Sequence, residues 1–520
     1  MKKALLFLLL VLFTLLWAQS DYETWKAEQK EQMQQFKNEQ DRQFAEFLEK
    51  NWKAFNVFKG EKLDEVPKPI KVPRVEIKEP KPLPQKNIVE AIEVPAPTPV
   101  QDLPKEKKIP EVETKKLENK ATVQSESGSQ AESTSKIVTK PKVQKKQEVG
   151  NVSQTKATNA IQINFFQKNL RLGYDKSLQV NLKEPIDNKK IAEFWKELSQ
   201  KEFETVLKQL RNFKQDMELN DWGYALLLYK AGEQLYEDKN LATLFTWFML
   251  TQSGYKCKIG YNDEAVKLLL ASGQVFFGKP YLKVEGQRYY AVSFQNDSAK
   301  FANLYTYEGN HADAKQTMNL FLQQAPAFSS QLKEKIVEFE YRGEEFKVKL
   351  VYNPQNIEYY DVYPNTNLNI YFDSPMKREV EYEVLKQLKQ ILEGRSQAEA
   401  ANILLRFVQT GFQYKTDAQQ FGREKAFFPE ETLYYPYCDC EDRSVLFSYL
   451  VRKLLKLEVL GLDYPGHVAT AVRFQEEIPG DAISYDGKRY VICDPTYINA
   501  DLGMAMPEFK DKKPQIIQVR

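Results

Sequence analysis

The pattern of apolar and polar positions changes character several times along the chain. Leu5–Trp17 is an unbroken apolar run apart from Thr14, with Lys2 and Lys3 before it and Ala18-Gln19-Ser20 after it. A basic start, a short apolar stretch and small residues at the cut are the layout of an export signal. Residues 1–20 are therefore expected to be removed near Ser20, leaving a periplasmic or extracellular protein. The run falls short of the roughly 20 apolar residues that a membrane span needs. From 21 to 58 the segment is highly charged, and Phe44, Phe47, Leu48, Trp52 and Phe55 recur at helical spacing. That periodicity predicts an amphipathic helix over 21–58. Such a helix packs on the main body, pairs with a partner helix or lies on a surface, and packing is the simplest of the three.

Residues 59–158 lose this periodicity. Pro-Lys and Glu-Pro steps (VPKPIKVPRVEIKEPKPLPQK) give way to Ser, Gln, Glu and Lys. So few apolar residues do not offset chain entropy, and a disordered linker is expected, stiff in its proline-rich part. Apolar patterning returns at 159. Ile191–Phe213, Asp221–Tyr236 and Leu241–Ser253 read as helices, and Gln274–Phe294 as strands about a Glu-Gly turn. Residues 335–373, including LNIYF, read as strands, followed by helices at 378–394, 397–412 and 444–457. The division is a helical α+β domain at 159–345 and a second domain at 346–520.

Charge and cysteine content narrow the classes. Lys+Arg 74 against Asp+Glu 72 leaves +2, which favours neither nucleic acid nor an acidic surface. Four cysteines in 520 residues are too few for a disulfide-built fold. No segment after the first run is apolar enough for an integral membrane domain.

Candidate chemistry sits in the last 100 residues. Cys440 lies in DCEDRS, His467 in PGHVATAV and Asp494 in YVICDPTY. The gaps 467 − 440 and 494 − 467 are both 27. A thiol, an imidazole and a carboxylate are the parts of a nucleophilic triad. Cys440 opens an apolar helix, whose N-terminus favours a thiolate. His467 opens an alternating strand, and Asp494 ends the next one after an Asp486-Gly487 hairpin turn. The other histidine, His311, falls in a polar stretch, NHADAK, and is expected on the surface.

This order of motifs resembles the transglutaminase-like superfamily, within the papain-like fold. The resemblance rests on Cys440-Glu441-Asp442, on Gly466-His467-Val468-Ala469 and on Asp494-Pro495-Thr496, and covers roughly the last 100 residues. It implies an α+β domain with an antiparallel sheet packed on a nucleophile-bearing helix. It also implies cysteine-dependent acyl transfer through a thioester on a peptide or protein substrate of the cell envelope, as a peptidase, amidase or crosslinking enzyme. No metal or organic cofactor is implied. Arg443 and Ser444 stand where other members often carry an aromatic and an alanine. The Cys440 N–H and the Gln420 side chain are candidate oxyanion donors. The aromatic run Phe427, Phe428, Tyr434, Tyr435 and Tyr437 is a candidate cleft lining.

Other readings stay open. Cys438, Cys440, His467 and Cys493 are a chemically sufficient zinc set, but their spacing is unlike paired zinc knuckles. Cys438 is able to form a disulfide with Cys493 or Cys257 in an oxidising compartment. An inactive transglutaminase-like scaffold is the non-enzymatic alternative. Finally, Leu244–Tyr261 faintly echoes Leu446–Tyr464, YLKVEGQRYYAV (281–292) then resembles ISYDGKRYVICD (483–494), and laying Leu446-Phe447 on Leu244-Phe245 sets Cys440 on Asp238. Residues 159–345 are then either a degenerate copy of the same fold or an unrelated helix followed by strands.

Overall fold

The computed structural model describes residues 2–62, 75, 159–183, 186–262, 265–294, 303–329 and 331–520. The expected linker therefore lies outside the described residues, except 59–62 and Val75. The architecture is α+β, with antiparallel sheets and helices packed against them. Among the described residues no helix is long and apolar enough to cross a membrane.

A first helix, α1 (Lys2–Lys50), is followed by strand β1 (Trp52–Asn56). The helix expected over 21–58 thus stops eight residues early by 58 − 50. The physical reason is a sheet edge: β1 pairs antiparallel with β8 (Asn303–Tyr307), Trp52 opposite Tyr307. Trp52 also packs edge-on against Tyr261 and Tyr307, at 5.0 and 5.3 Å. An aromatic residue at a half-buried sheet edge outweighs helical spacing. Within residues 22–50 of α1, only the end of the helix is buried. Phe44, Ala45 and Leu48 enter the core, and Phe44 meets Trp195 edge-to-face at 4.7 Å, whereas Tyr22, Trp25, Met33 and Phe36 are exposed.

That docking also corrects the placement of His311. The residue is 5% exposed, in a turn and not on the surface. Its Nε2 lies 3.3 Å from Asp41 Oδ1, and its ring meets Phe44 edge-on at 5.2 Å. The polar flanks of NHADAK signalled exposure, but a helix from far upstream covers the imidazole.

Two sets of elements follow. The first has a hairpin, β2 (Asn159–Phe165) and β3 (Lys168–Tyr174), then α2 (Asn188–Ser199), α3 (Phe203–Asp216), α4 (Asp221–Leu235) and α5 (Lys239–Gln252). Strands β4 (Cys257–Tyr261), β5 (Val266–Ala271), β6 (Tyr281–Val284), β7 (Gln287–Val292) and β8 complete it. The second has a hairpin, β9 (Lys333–Tyr341) and β10 (Glu344–Tyr352), then α6 (Pro354–Asp361), α7 (Leu368–Phe372), α8 (Arg378–Leu392) and α9 (Gln397–Gly411). Short elements β11 (Gln413–Tyr414), α10 (Asp417–Gln420), α11 (Pro429–Tyr434) and β12 (Tyr437–Cys438) lead to α12 (Cys440–Leu450). Strands β13 (Glu458–Tyr464), β14 (His467–Arg473), β15 (Ala482–Tyr485), β16 (Lys488–Cys493) and β17 (Gln515–Gln518) end the chain.

Two details differ from the sequence reading. LNIYF is the short helix α7, with Ile370, Tyr371 and Phe372 all buried, because a run apolar on every side also suits a buried helix. The hairpin at 333–352 spans the expected boundary between 345 and 346. Its strands carry α8 and α9, so it belongs with the second set.

The two sets repeat one topology. The first sheet runs β1-β8-β4-β5-β7-β6 and the second β15-β16-β14-β13-β17. Read from β6, the first is β6-β7-β5-β4-β8, the same order with every pair antiparallel. Helix α5 packs on β4 and β5 as α12 packs on β13 and β14. The hairpins correspond as well: α3 and α4 lie on β3 and β2, and α8 and α9 on β10 and β9. A shared clamp fastens them. Gln209 of α3 accepts from Gly173 N at 3.0 Å and donates to Gly173 O at 2.8 Å. Gln387 of α8 does the same to Lys349, at 2.8 and 2.6 Å.

Candidate active site

Local chemistry at the start of α12 fixes Cys440. Asp439 and Asp442 cap the helix reciprocally. Asp442 Oδ2 accepts from Asp439 N at 3.0 Å, and its Oδ1 accepts from Phe427 N at 2.9 Å. Burial, with Asp439 and Asp417 close by, holds the Asp442 carboxyl well above the usual range. Every residue of α12 is buried, so the helix is an inner layer between the sheet and α9. Ser444 Oγ donates to Val468 O at 2.9 Å, fastening the helix start to the strand that carries His467.

His467 is the first residue of β14 and pairs with Tyr464 across the turn Pro465-Gly466, with Gly466 at φ 77°. Its ring stacks on Phe509 at 4.6 Å. Nε2 lies 2.8 Å from Asp494 Oδ2. Asp494 follows the end of β16, where Cys493 pairs with Thr470, three residues along β14. Its Oδ1 accepts from Thr496 N and Tyr497 N at 2.9 and 3.2 Å, and its backbone carbonyl accepts from Gln409 Nε2 at 3.0 Å. A carboxylate held at both ends fixes the ring it touches.

The cysteine completes the group. Cys440 is fully buried and its thiol donates to Glu441 Oε2 at 3.3 Å. Its sulfur neighbours the imidazole. Burial alone lowers the proton affinity of His467, but the Asp494 carboxylate and the Cys440 sulfur more than offset it and raise the pKa to about 10. Nδ1 makes no hydrogen bond. Cys440, His467 and Asp494 are thus brought to one place from a helix start and two adjacent strand ends. This is an arrangement in which an imidazole can exchange a proton with a thiol while a carboxylate holds its far nitrogen.

His467 opens onto a cleft of about 640 Å³. One wall comes from the second set, with Glu424, Glu441 and His467; the other comes from the first set, with Gln274, Phe277 and Phe321. Cys440, Tyr414, Gln420 and Tyr435 are not among its lining residues. Gln420 closes the short helix α10, and Tyr435 stacks on Phe427 at 4.7 Å and meets Phe421 edge-on at 5.2 Å. Those aromatics pack the core beneath α12.

Sequence reasoning missed Tyr414, whose buried hydroxyl makes no hydrogen bond. Burial raises its pKa strongly, and the neighbouring Cys440 and Asp439 push in the same direction. The phenol is therefore held in its protonated, hydrogen-bond-donating form. Its only sequence signal was an aromatic residue near the end of a helix.

All four cysteines are free thiols. Among the described residues, Cys438, Cys440, His467 and Cys493 do not gather into one ligand set; of the three clusters close enough to hold a cation, two are wholly acidic and the third joins Cys440 to Asp439 and Glu441. No family model, curated protein or solved structure matches the chain.

Proposed function

We propose that the second element set is a transglutaminase-like cysteine acyltransferase or hydrolase on a papain-like fold, carried by an exported protein. The observation that carries this reading is the His467–Asp494 pair at 2.8 Å with the Cys440 sulfur beside the same imidazole. In the reaction, Cys440 Sγ attacks the carbonyl carbon of a peptide or protein amide while its proton passes to His467. The C–N bond breaks as His467 returns the proton to the leaving amine, and a thioester remains. Water or a second amine then attacks the thioester, gives up its proton to His467, and frees Cys440. Asp494 keeps the ring oriented and supports its charged form. The Tyr414 phenol and the Cys440 N–H are the oxyanion donors in this reading. The acceptor decides between hydrolysis and crosslinking, and the substrate class is an envelope peptide or protein.

A second reading, an inactive scaffold, draws support from the burial of Cys440 and from Glu441 as acceptor of its thiol proton. The test is a thiol-reactivity map. Limiting iodoacetamide near neutral pH is applied to the full chain, and labelling at Cys257, Cys438, Cys440 and Cys493 is quantified by mass spectrometry. Selective labelling of Cys440, slowed in His467→Ala, is the expected result. Uniform slow labelling favours the scaffold. Turnover surviving in Cys440→Ala ends the enzymatic reading.

A further inference from the structure

The first element set keeps the layout of the second and lacks its chemistry. Three anchors align them. Asp238 caps α5 as Asp439 caps α12. Val266 opens β5 opposite Tyr261, as His467 opens β14 opposite Tyr464. Glu285-Gly286 and Asp486-Gly487 turn the two hairpins, with both residues at positive φ in each. On these anchors Cys440 falls on Lys239, one residue beyond the Asp238 suggested by the Leu-Phe echo. His467 falls on Val266 and Asp494 on Ser293. The differences 440 − 239, 467 − 266 and 494 − 293 are all 201. Val266 takes no proton and Lys239 carries no thiol, so this site cannot run the reaction proposed for its counterpart.

Among the described residues, the position has nevertheless not been filled in. A separate cavity of about 380 Å³ is lined by Lys239, Val266 and Ser293, together with Asn240, Thr243 and Lys267. Four lining positions correspond between the two cavities at the same difference of 201: Ala265 with Gly466, Val266 with His467, Lys267 with Val468, and Asn240 with Glu441. The frame is rigid, because Asn240 Oδ1 accepts from Val266 N at 3.1 Å and ties the helix start to the strand start. Leu268 and Val292 add an apolar strip, while Glu237, Asp238, Lys239 and Lys267 give charges of both signs. An apolar strip flanked by mixed charge and hydroxyl groups suits a peptide better than a purely apolar or strongly anionic ligand.

We propose that this cavity binds a short peptide segment, of the class the second set acts on, and holds it without turnover. The ligand class rests on the acyl-transfer reading; the cavity and its alignment do not. In the test, the full chain is irradiated with a random-sequence hexapeptide pool carrying one benzophenone, and attachment sites are mapped by mass spectrometry. Attachment is expected within 229–294 and separately at the His467 cleft. Lys239 is exposed and Thr243 half-buried, so Lys239→Trp and Thr243→Trp each fill the cavity from its rim. Either variant, its melting temperature checked, loses attachment within 229–294 and keeps it at the cleft. No attachment within 229–294, or attachment indifferent to both variants, overturns the proposal. If Cys440 is unreactive while the attachment within 229–294 behaves as expected, the acyl-transfer reading alone is lost.

Discussion

At the scale of single residues, the His467–Asp494 contact sets a pH dependence. The folded imidazole is raised from 6.5 to about 10, so the folded state binds this proton more tightly than the unfolded chain. The stabilisation is complete below pH 6.5 and is lost as pH rises through about 10. Chemical denaturation across that window is expected to show a decline in the wild type that is much shallower in Asp494→Asn. In the proposed reaction Tyr414→Phe lowers turnover about 10²-fold, the typical loss on removing one oxyanion donor. Iodoacetamide labelling of Cys440 in that variant is expected to stay at the wild-type rate, because the phenol serves the oxyanion and not the thiol. The residue types Cys440, His467 and Asp494 were legible because each sits in a distinctive local setting. Tyr414 and Glu441 were not, since their roles depend on which backbone turns bring them to the sulfur. His311 failed for the same reason, as its cover comes from a helix far upstream.

At the scale of elements, side chains that clamp one element to another carry the arrangement. Gln387→Leu leaves Lys349 N and Lys349 O without their partner, and a loss of about 1–3 kcal/mol is expected from urea denaturation. Glu430 of α11 joins three segments, accepting from Asn353 N at 2.8 Å, Lys377 N at 3.4 Å and Asn356 Nδ2 at 3.5 Å. Burial raises its carboxyl from 4.5 to about 7. The folded state again holds the proton more tightly, so stability falls as pH climbs from 4.5 through about 7. Glu430→Gln should remove that fall in melting temperature measured from pH 4.5 to 8. Helices with clear periodicity, such as α8 and α9, were readable from sequence. The β1 strand and α7 were not: each is short, and its state is chosen by a tertiary neighbour and not by local pattern.

At the scale of the whole molecule, neither element set is self-contained at the cleft. Gln274, Phe277 and Phe321 come from the set without the triad, yet they face His467. In the proposed enzyme, Phe277→Ala is expected to raise KM several-fold with little change in kcat, since it removes contact with the substrate and not with the reacting atoms. The duplicated plan was only hinted at, by a Leu-Phe echo and by the likeness of two hairpin stretches, because sheet order and side-chain clamps leave no mark in local composition. The duplication has a further consequence, for folding. Each hairpin has two helix pairs in the same chain built to receive it, and the five-stranded sheet has a topological twin in five strands of the six-stranded one. A collapsing chain is therefore exposed to mispairing between halves, a trap characteristic of repeated and multidomain proteins. The difference in sequence between the two halves is what discourages that exchange: residues such as Lys239 and Val266, which stand where Cys440 and His467 stand in the other half, also keep the halves from being interchangeable.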